Sequence, residues 1–135
     1  MLGEAADDAR RVVGEAQYTG CRVRQEWEKL ELWLFNVPPQ VLEELEAIHP
    51  GVYAIRDAPR SEAAVFELMD VLGGELERLK MAGIRVVGYG PTVDGYLRVA
   101  VMGDLPTAQA RLDAMFGKNV ARVEYGEPLR ALTYH

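Results

Sequence analysis

The fold is decided by residues 30–48, LELWLFNVPPQVLEELEAI, because the same pattern returns at residues 97–115 as LRVAVMGDLPTAQARLDAM. In both stretches aliphatic residues first alternate, as they do on one face of a β-strand. A proline then opens a segment whose apolar residues recur at helical spacing, as proline is well tolerated in the first turn of a helix. The sequence therefore predicts an internal duplication.

The same reading extends to both flanks and predicts the order helix–strand–strand–helix–strand twice. Helices are expected at 3–16, 38–48, 61–82 and 106–116, and strands at 17–24, 30–36, 52–56, 84–89, 96–102 and 119–125. A turn is expected at Gly90-Pro91 and Asp94-Gly95, and an extended tail from Gly126 to His135. Gly73-Gly74, inside the long helix, predicts a kink or the close approach of a neighbouring element.

The predicted fold class is α+β, with duplicated (α)ββαβ units in ferredoxin-like order. The halves are residues 1–58 and 59–135, with antiparallel or mixed sheets and helices packed on one sheet face. Read from residue 52, the chain also fits one split βαβ unit with an N-terminal extension. We favour two symmetric halves because the repeat is what the residues show.

Composition narrows the possible partners. The 135 residues carry a net charge of −6, which argues against nucleic acid, whose phosphates are neutralised by excess lysine and arginine. No apolar run approaches the roughly 20 residues that span a bilayer, so no membrane association is expected. No signal peptide is visible, which predicts a cytoplasmic protein unless an export segment was removed.

Nucleophiles and imidazoles are scarce, which points away from an enzyme. The chain has one serine, Ser61, which suits a helix N-cap. Its one cysteine, Cys21, fits a buried thiol in a strand and excludes an internal disulfide. The histidines, His49 and His135, show no metal-ligand spacing. We therefore expect no catalytic residues, no metal and no cofactor.

The glycines of Gly88-Tyr89-Gly90-Pro91 open onto a strand, which indicates a β-turn rather than a nucleotide site.

The sheet face away from the helices carries the candidate binding residues Trp33, Phe35, Tyr96, Arg98 and Arg122. Aromatic residues interleaved with arginine are enriched at protein interaction hot spots, and Arg22 and Arg24 also alternate onto this face. Such a face can instead bind RNA by stacking bases, but the RNP1 pattern is absent. Packing between halves or protomers and binding of a separate protein both remain open.

The second copy resembles the propeptide region of actinobacterial serine proteases of the streptogrisin and α-lytic protease type. The resemblance lies in Val86-Val87-Gly88-Tyr89-Gly90-Pro91, Tyr96-Leu97-Arg98-Val99-Ala100-Val101, Phe116-Gly117 and Val120-Ala121-Arg122-Val123-Glu124, and extends more weakly to Tyr18, Gly20 and residues 30–56. It implies a domain that assists folding of a partner protease and inhibits it by docking. The family's final strand and tail would correspond to Val120–Tyr125 and Thr133-Tyr134-His135.

The leading hypothesis is a non-enzymatic protein-binding or regulatory module, a stand-alone relative of a propeptide, acting through an exposed sheet edge or face. Its partner would be an unidentified protein or a second copy in a homodimer. The alternative is a ferredoxin-like small-molecule sensor that acts as a homo-oligomer. An enzyme that uses Cys21 or carboxylates is the least favoured hypothesis.

Overall fold

A computed structural model of the chain describes residues 2–127. Its fold is α+β, with four helices and two three-stranded mixed sheets, and the order helix–strand–strand–helix–strand occurs twice. The predicted fold class and duplication are confirmed. The expectations for the tail, including the propeptide correspondence of Thr133-Tyr134-His135, fall largely outside the described residues.

The first half contains two helices and three strands. They are α1 (Leu2–Val13), β1 (Tyr18–Arg24), β2 (Lys29–Leu34), α2 (Pro39–Ile48) and β3 (Tyr53–Asp57). Strand β1 is antiparallel to β2, and β2 is parallel to β3. The β1–β2 link contains a short 3-10 turn at Gln25–Trp27, followed by Glu28 with a φ of 51°.

The second half repeats this arrangement. Its elements are α3 (Glu62–Met81), β4 (Arg85–Pro91), β5 (Leu97–Met102), α4 (Leu105–Phe116) and β6 (Ala121–Tyr125). Strand β4 is antiparallel to β5, and β5 is parallel to β6. The central strand of each sheet is therefore the one that carries the repeated aliphatic pattern.

The duplication extends to individual backbone hydrogen bonds. The Leu30 amide donates to the Val52 carbonyl at 2.9 Å where the β2–β3 ladder opens, and Leu97 donates to Val120 at 3.1 Å where the β5–β6 ladder opens. The bonds that close these two ladders run from Ala58 to Leu34 (2.9 Å) and from Gly126 to Val101 (2.9 Å). The first strand of each sheet also has an irregularity at the equivalent place.

In the first half, helices α1 and α2 cover one face of the sheet. The buried cluster there consists of Ala9, Val13, Tyr18, Leu32, Leu34 and Leu45. Val41 and Leu42 pack against it, as the helical spacing predicts. Ile48, which the same spacing placed in the buried stripe, is 39% exposed because α2 ends there and the chain turns away.

In the second half, Leu97, Val99 and Val101 are fully buried. Helix α4 packs against β5 and β6. Helix α3 runs without a break through Gly73-Gly74, and the Tyr89 hydroxyl lies 3.2 Å from where a Cβ on Gly73 would stand. Close approach, rather than a kink, therefore accounts for the first of these glycines.

A further expectation from the sequence is wrong, and the alternative topology is excluded. Gly90-Pro91 is not a turn, because β4 extends to Pro91, which pairs with Leu97 at the end of the ladder. Proline is tolerated there because an edge strand needs no second row of hydrogen bonds. The single split βαβ unit also fails, because β3 pairs with β2 and not with the sheet of β4, β5 and β6.

The chain separates into two compact units. The first runs to Val65 and includes Thr92–Gly95, the turn between β4 and β5, and the second contains Phe66–Pro91 and the chain from Tyr96 onward. The division falls inside α3, a few residues after the end of the predicted first half. Among residues 2–127, no helix is both long enough and apolar enough to cross a membrane.

Candidate functional site

The predicted binding residues are divided between the two units. Trp33 and Phe35 belong to the first. Trp33 is 9% exposed in β2, with the Arg22 guanidinium 5.3 Å from the centre of its ring. Phe35 is 37% exposed but lies in a bend after β2 has ended. Strict alternation therefore cannot assign Phe35 to the same face as Trp33.

Tyr96, Arg98 and Arg122 belong to the second unit, where the structure brings them together. The Arg122 guanidinium lies 3.5 Å from the centre of the Tyr96 ring. Arg98 is opposite Arg122 in the β5–β6 register and forms an ion pair of 3.0 Å with Glu124. The predicted association of aromatic residues with arginine is thus present in this sheet as a local cluster.

A buried carboxylate, Glu31, lies on the face of the first sheet away from α1 and α2, which we call the open face. The sequence analysis did not identify it as a candidate residue. The Glu31 side chain is 5% exposed. Its hydrogen bonds come from Arg22 (3.2 Å), Arg24 (3.1 Å) and Arg56 (3.3 Å). Burial raises the pKa of Glu31, but the hydrogen bonds from Arg24 and Arg22 outweigh it, and the pKa is lowered overall.

Both sheets have an ion pair between the central and the third strand, but the positions of the acidic and basic residues are exchanged. Glu31 on the central strand pairs with Arg56 on the third strand, whereas Arg98 on the central strand pairs with Glu124 on the third strand. Arginines consequently outnumber carboxylates on the open face of the first sheet, although the chain as a whole has a net charge of −6. Alternation in the sequence places Arg22, Arg24 and Glu31 on one face, but only strand pairing adds Arg56.

Strand β3 forms one edge of the first sheet, and among residues 2–127 no other strand pairs with its outer side. The bonds from Leu30 to Val52 and from Ala58 to Leu34 define the alternation of the parallel ladder. They direct the backbone N–H and C=O groups of Tyr53, Ile55 and Asp57 away from β2.

The equivalent edge of β6 is covered by a side chain from α4. The Gln109 amide nitrogen donates to the Ala121 carbonyl at 2.7 Å, and its oxygen accepts the Val123 N–H at 3.0 Å. Gln109 thus occupies part of the place that an added strand would take. In the first half the aligned residue is Leu42, whose side chain can make neither hydrogen bond.

The opposite edge of the first sheet, strand β1, lies against other segments of the first unit. A Cβ on Gly20 of β1 would stand 2.5 Å from the Val93 carbonyl oxygen. The Thr19 hydroxyl donates to the Arg60 carbonyl at 2.7 Å. In the first sheet, β3 is therefore the better candidate for an open edge.

A second group of polar side chains joins α1 to the end of α2. Ligand atoms of Glu4, Asp8 and His49 lie within 4.8 Å of one another. His49 Nε2 is 2.8 Å from Asp8 Oδ2, and Arg11 donates to Asp8 Oδ1 at 3.0 Å. The hydrogen bond with His49 and the one from Arg11 lower the pKa of Asp8, so it is a carboxylate at neutral pH.

Tyr53 holds His49 in place. Its ring meets the imidazole edge to face, with centres 5.9 Å apart, and its hydroxyl donates to the Ala5 carbonyl at 2.7 Å. Burial raises the pKa of Tyr53 to about 12, so the phenol remains a donor. The four-residue spacing of Glu4 and Asp8 was readable in the sequence, but the meeting with His49 depends on how α1 packs against α2.

A cavity of about 660 Å³ adjoins this cluster. Its lining residues are Leu2, Glu4, Gln25, Glu28, His49 and Val52. Glu4 and His49 thus belong both to the polar cluster and to the cavity wall.

The other candidate residues have structural roles. The Ser61 hydroxyl accepts the Ala64 N–H at 3.2 Å, which is the predicted N-cap of α3. Cys21 is a free, half-buried thiol that packs against the first hydrophobic cluster. Within residues 2–127, every buried side-chain nitrogen or oxygen has a hydrogen-bond partner.

Comparison with known proteins gives no relative: no family model, no curated protein and no solved structure matches the chain.

Proposed function

We propose that this protein is a non-enzymatic protein-binding module that adds an extended segment of its partner to the outer edge of β3. The observation that carries the proposal is the difference between the two third strands. The outward backbone groups of β3 face away from the sheet, whereas Gln109 occupies the corresponding groups of β6. An edge strand with unpaired N–H and C=O groups is a template for another chain.

The surroundings of β3 indicate the chemistry of the bound segment. Tyr53 and Ile55 are half-buried on the helix-covered side, so apolar side chains of an added strand would extend this surface. Arg56 lies on the other side with its side chain 46% exposed, where an acidic side chain would pair with it. Because side chains alternate along a strand, we expect a segment of alternating apolar and acidic residues.

The resemblance of residues 84–125 to protease propeptides supplies the first protein to test. A trypsin-like serine protease would be bound and inhibited by a relative of such a propeptide. The final strand of that family would correspond to β6, whereas the Gln109 hydrogen bonds favour β3 of the other half as the open edge. The scarcity of nucleophiles and histidines supports a binding role over catalysis.

Amide hydrogen exchange with a bound peptide tests the proposal. Peptides are selected from a displayed random library on the purified chain, and the tightest binder is synthesised. We expect slower exchange at the amides of Tyr53, Ile55 and Asp57 on binding, because each would donate to the added strand. Unchanged exchange at all three, with protection elsewhere, would place the binding surface away from β3.

A matched pair of proline substitutions tests the same edge. Asp57→Pro removes an outward N–H from β3, and Tyr125→Pro removes the equivalent one from β6. Both residues are exposed at strand ends, where proline is tolerated. We expect Asp57→Pro to weaken peptide binding at least tenfold and Tyr125→Pro to leave it within twofold.

The reverse result would move the site to β6, and equal loss in both variants would reject strand addition at β3. Gln109→Leu, which copies the first half, removes the side-chain cover of β6. If an open edge is what matters, this variant gains a second peptide site of similar specificity. The same variants are then assayed for inhibition of a trypsin-like protease.

A further inference from the structure

The Glu4, Asp8 and His49 side chains form a compact set of three metal-ligating groups in the first unit. Glu4 and Asp8 are four residues apart on α1, so their side chains lie on one face of the helix. His49 caps the end of α2, where its backbone N–H donates to the Leu45 carbonyl at 3.1 Å. The three groups therefore come from two rigid elements rather than from a loop.

We infer that Glu4, Asp8 and His49 bind a divalent transition-metal ion, with Zn²⁺ as the best fit. An imidazole with two carboxylates suits zinc, whereas calcium and magnesium prefer oxygen ligands throughout. Zinc binds these groups at about 2.0–2.2 Å, which puts neighbouring ligand atoms about 3.3 Å apart. His49 Nε2 and Asp8 Oδ2 are 2.8 Å apart and all three ligand atoms lie within 4.8 Å of one another, and these separations bracket that value.

The groups around the cluster orient its ligands. Arg11 holds Asp8 Oδ1, which leaves Oδ2 directed toward the His49 ring. Tyr53 fixes that ring by edge-to-face packing and is itself tied to α1 through the Ala5 carbonyl. Contacts of this kind, which orient a ligand without binding the metal, are common around metal centres.

The cavity beside the cluster gives the ion a fourth position. Glu4 and His49 line it, and about 660 Å³ is ample for water or a small ligand on the metal. Three protein ligands with one open position is the arrangement of zinc sites that exchange ligands, whereas structural sites are closed by four.

The second half provides an internal comparison. The backbone turn that follows α2 recurs after α4, where Gly117 stands in the place of His49. Glycine offers no side-chain ligand, so the second half lacks this donor set. Within residues 2–127, a cluster of three such groups occurs at Glu4, Asp8 and His49 alone. The inference therefore concerns a feature in which the first half differs from the second.

Calorimetric titration of the full chain with Zn²⁺ tests the inference. We expect one ion per chain, with affinity reduced at least tenfold in both Asp8→Asn and His49→Ala. Asp7→Asn is the matched control, because Asp7 is exposed on the same helix and the change in charge is identical. His135→Ala is the control for the other histidine. Both controls should remain within twofold of the unchanged chain.

Two further measurements keep the result independent of folding defects. Circular dichroism establishes that each variant is folded before titration, and Co²⁺ replaces Zn²⁺ to report ligand geometry by visible absorption. Unaltered binding in His49→Ala, or equal losses in Asp7→Asn and Asp8→Asn, would overturn the inference. Tighter binding of Mg²⁺ or Ca²⁺ than of Zn²⁺ would also overturn it.

Discussion

At the scale of single residues, Glu31 illustrates how a charge can be buried in a small sheet. Its carboxylate is 5% exposed, and three arginines donate hydrogen bonds to its two oxygens. The side chains of Arg22 and Arg56 are 55% and 46% exposed, so these guanidinium groups contact water as well as the carboxylate. A buried carboxylate without such partners would carry a large desolvation cost.

This arrangement predicts a pH dependence that belongs to Glu31. Burial raises the pKa of Glu31, but the hydrogen bonds from Arg24 and Arg22 outweigh it, so the pKa lies below the ordinary value of 4.5. The unfolded chain therefore takes up the proton first as pH falls, and the stabilisation present above about pH 4.5 is lost below it. We expect the free energy of unfolding to fall less between pH 5 and 3 in Glu31→Gln than in the unchanged chain.

Urea titrations at a series of pH values provide the measurement. Glu43→Gln, at an exposed position on α2, is the control and should keep the slope of the unchanged chain. Equal slopes for Glu31→Gln and the unchanged chain would show that the ion pairs do not contribute through this carboxylate.

At the scale of elements, α3 contains two adjacent glycines with different surroundings. A Cβ on Gly73 would stand 3.2 Å from the Tyr89 hydroxyl, whereas one on Gly74 would have no atom within 4 Å. Glycine in a helix interior costs about 1 kcal/mol relative to alanine. At Gly73 the absence of a side chain permits close packing against Tyr89, whereas no contact explains Gly74.

The pair supports a prediction with a built-in control. Gly74→Ala should raise the free energy of unfolding by about 1 kcal/mol, because alanine loses less backbone entropy and meets no neighbour. Gly73→Ala should gain less, because the Tyr89 hydroxyl must move. Chemical denaturation of both variants gives the comparison, and an equal gain in both would show that the contact with Tyr89 is not constraining.

At the scale of the whole molecule, the same pattern of buried aliphatic residues occurs in both halves. Leu30 and Leu97, which occupy equivalent positions in the two copies, are both completely buried on the central strands of their sheets. The ladders around them open and close with equivalent backbone hydrogen bonds. The two copies differ instead on their open faces and outer edges, and the outer edge of β3 is where we propose that a partner binds.

This symmetry predicts similar costs for equivalent core substitutions. Leu30→Ala and Leu97→Ala should each lower the free energy of unfolding by about 2–5 kcal/mol, because each removes a buried side chain and leaves a cavity. Val71→Ala, at a position 53% exposed in α3, should change it by less than about 0.5 kcal/mol. Thermal and urea unfolding give the values. A negligible cost for either leucine would contradict its place in a core.

The sequence predicted the helices and strands more completely than it predicted which surface residues lie together. Alternation and helical spacing located all ten major elements, with errors confined to their ends, as at Pro91, where the glycines beside it suggested a turn. The predicted cluster of Tyr96, Arg98 and Arg122 lies within one sheet, while Trp33 and Phe35 lie in the other unit. Alternation alone cannot say which unit a strand joins or what covers its face.

The order of elements, the duplication and the buried aliphatic faces were determined by the sequence alone, because they follow from the local periodicity of apolar side chains. Tertiary structure decided the arginines around Glu31, the Gln109 cover of β6 and the meeting of His49 with Glu4 and Asp8. Each of these joins groups from different elements, and their distance depends on how strands register and helices pack. Periodicity within one segment carries no information about that distance.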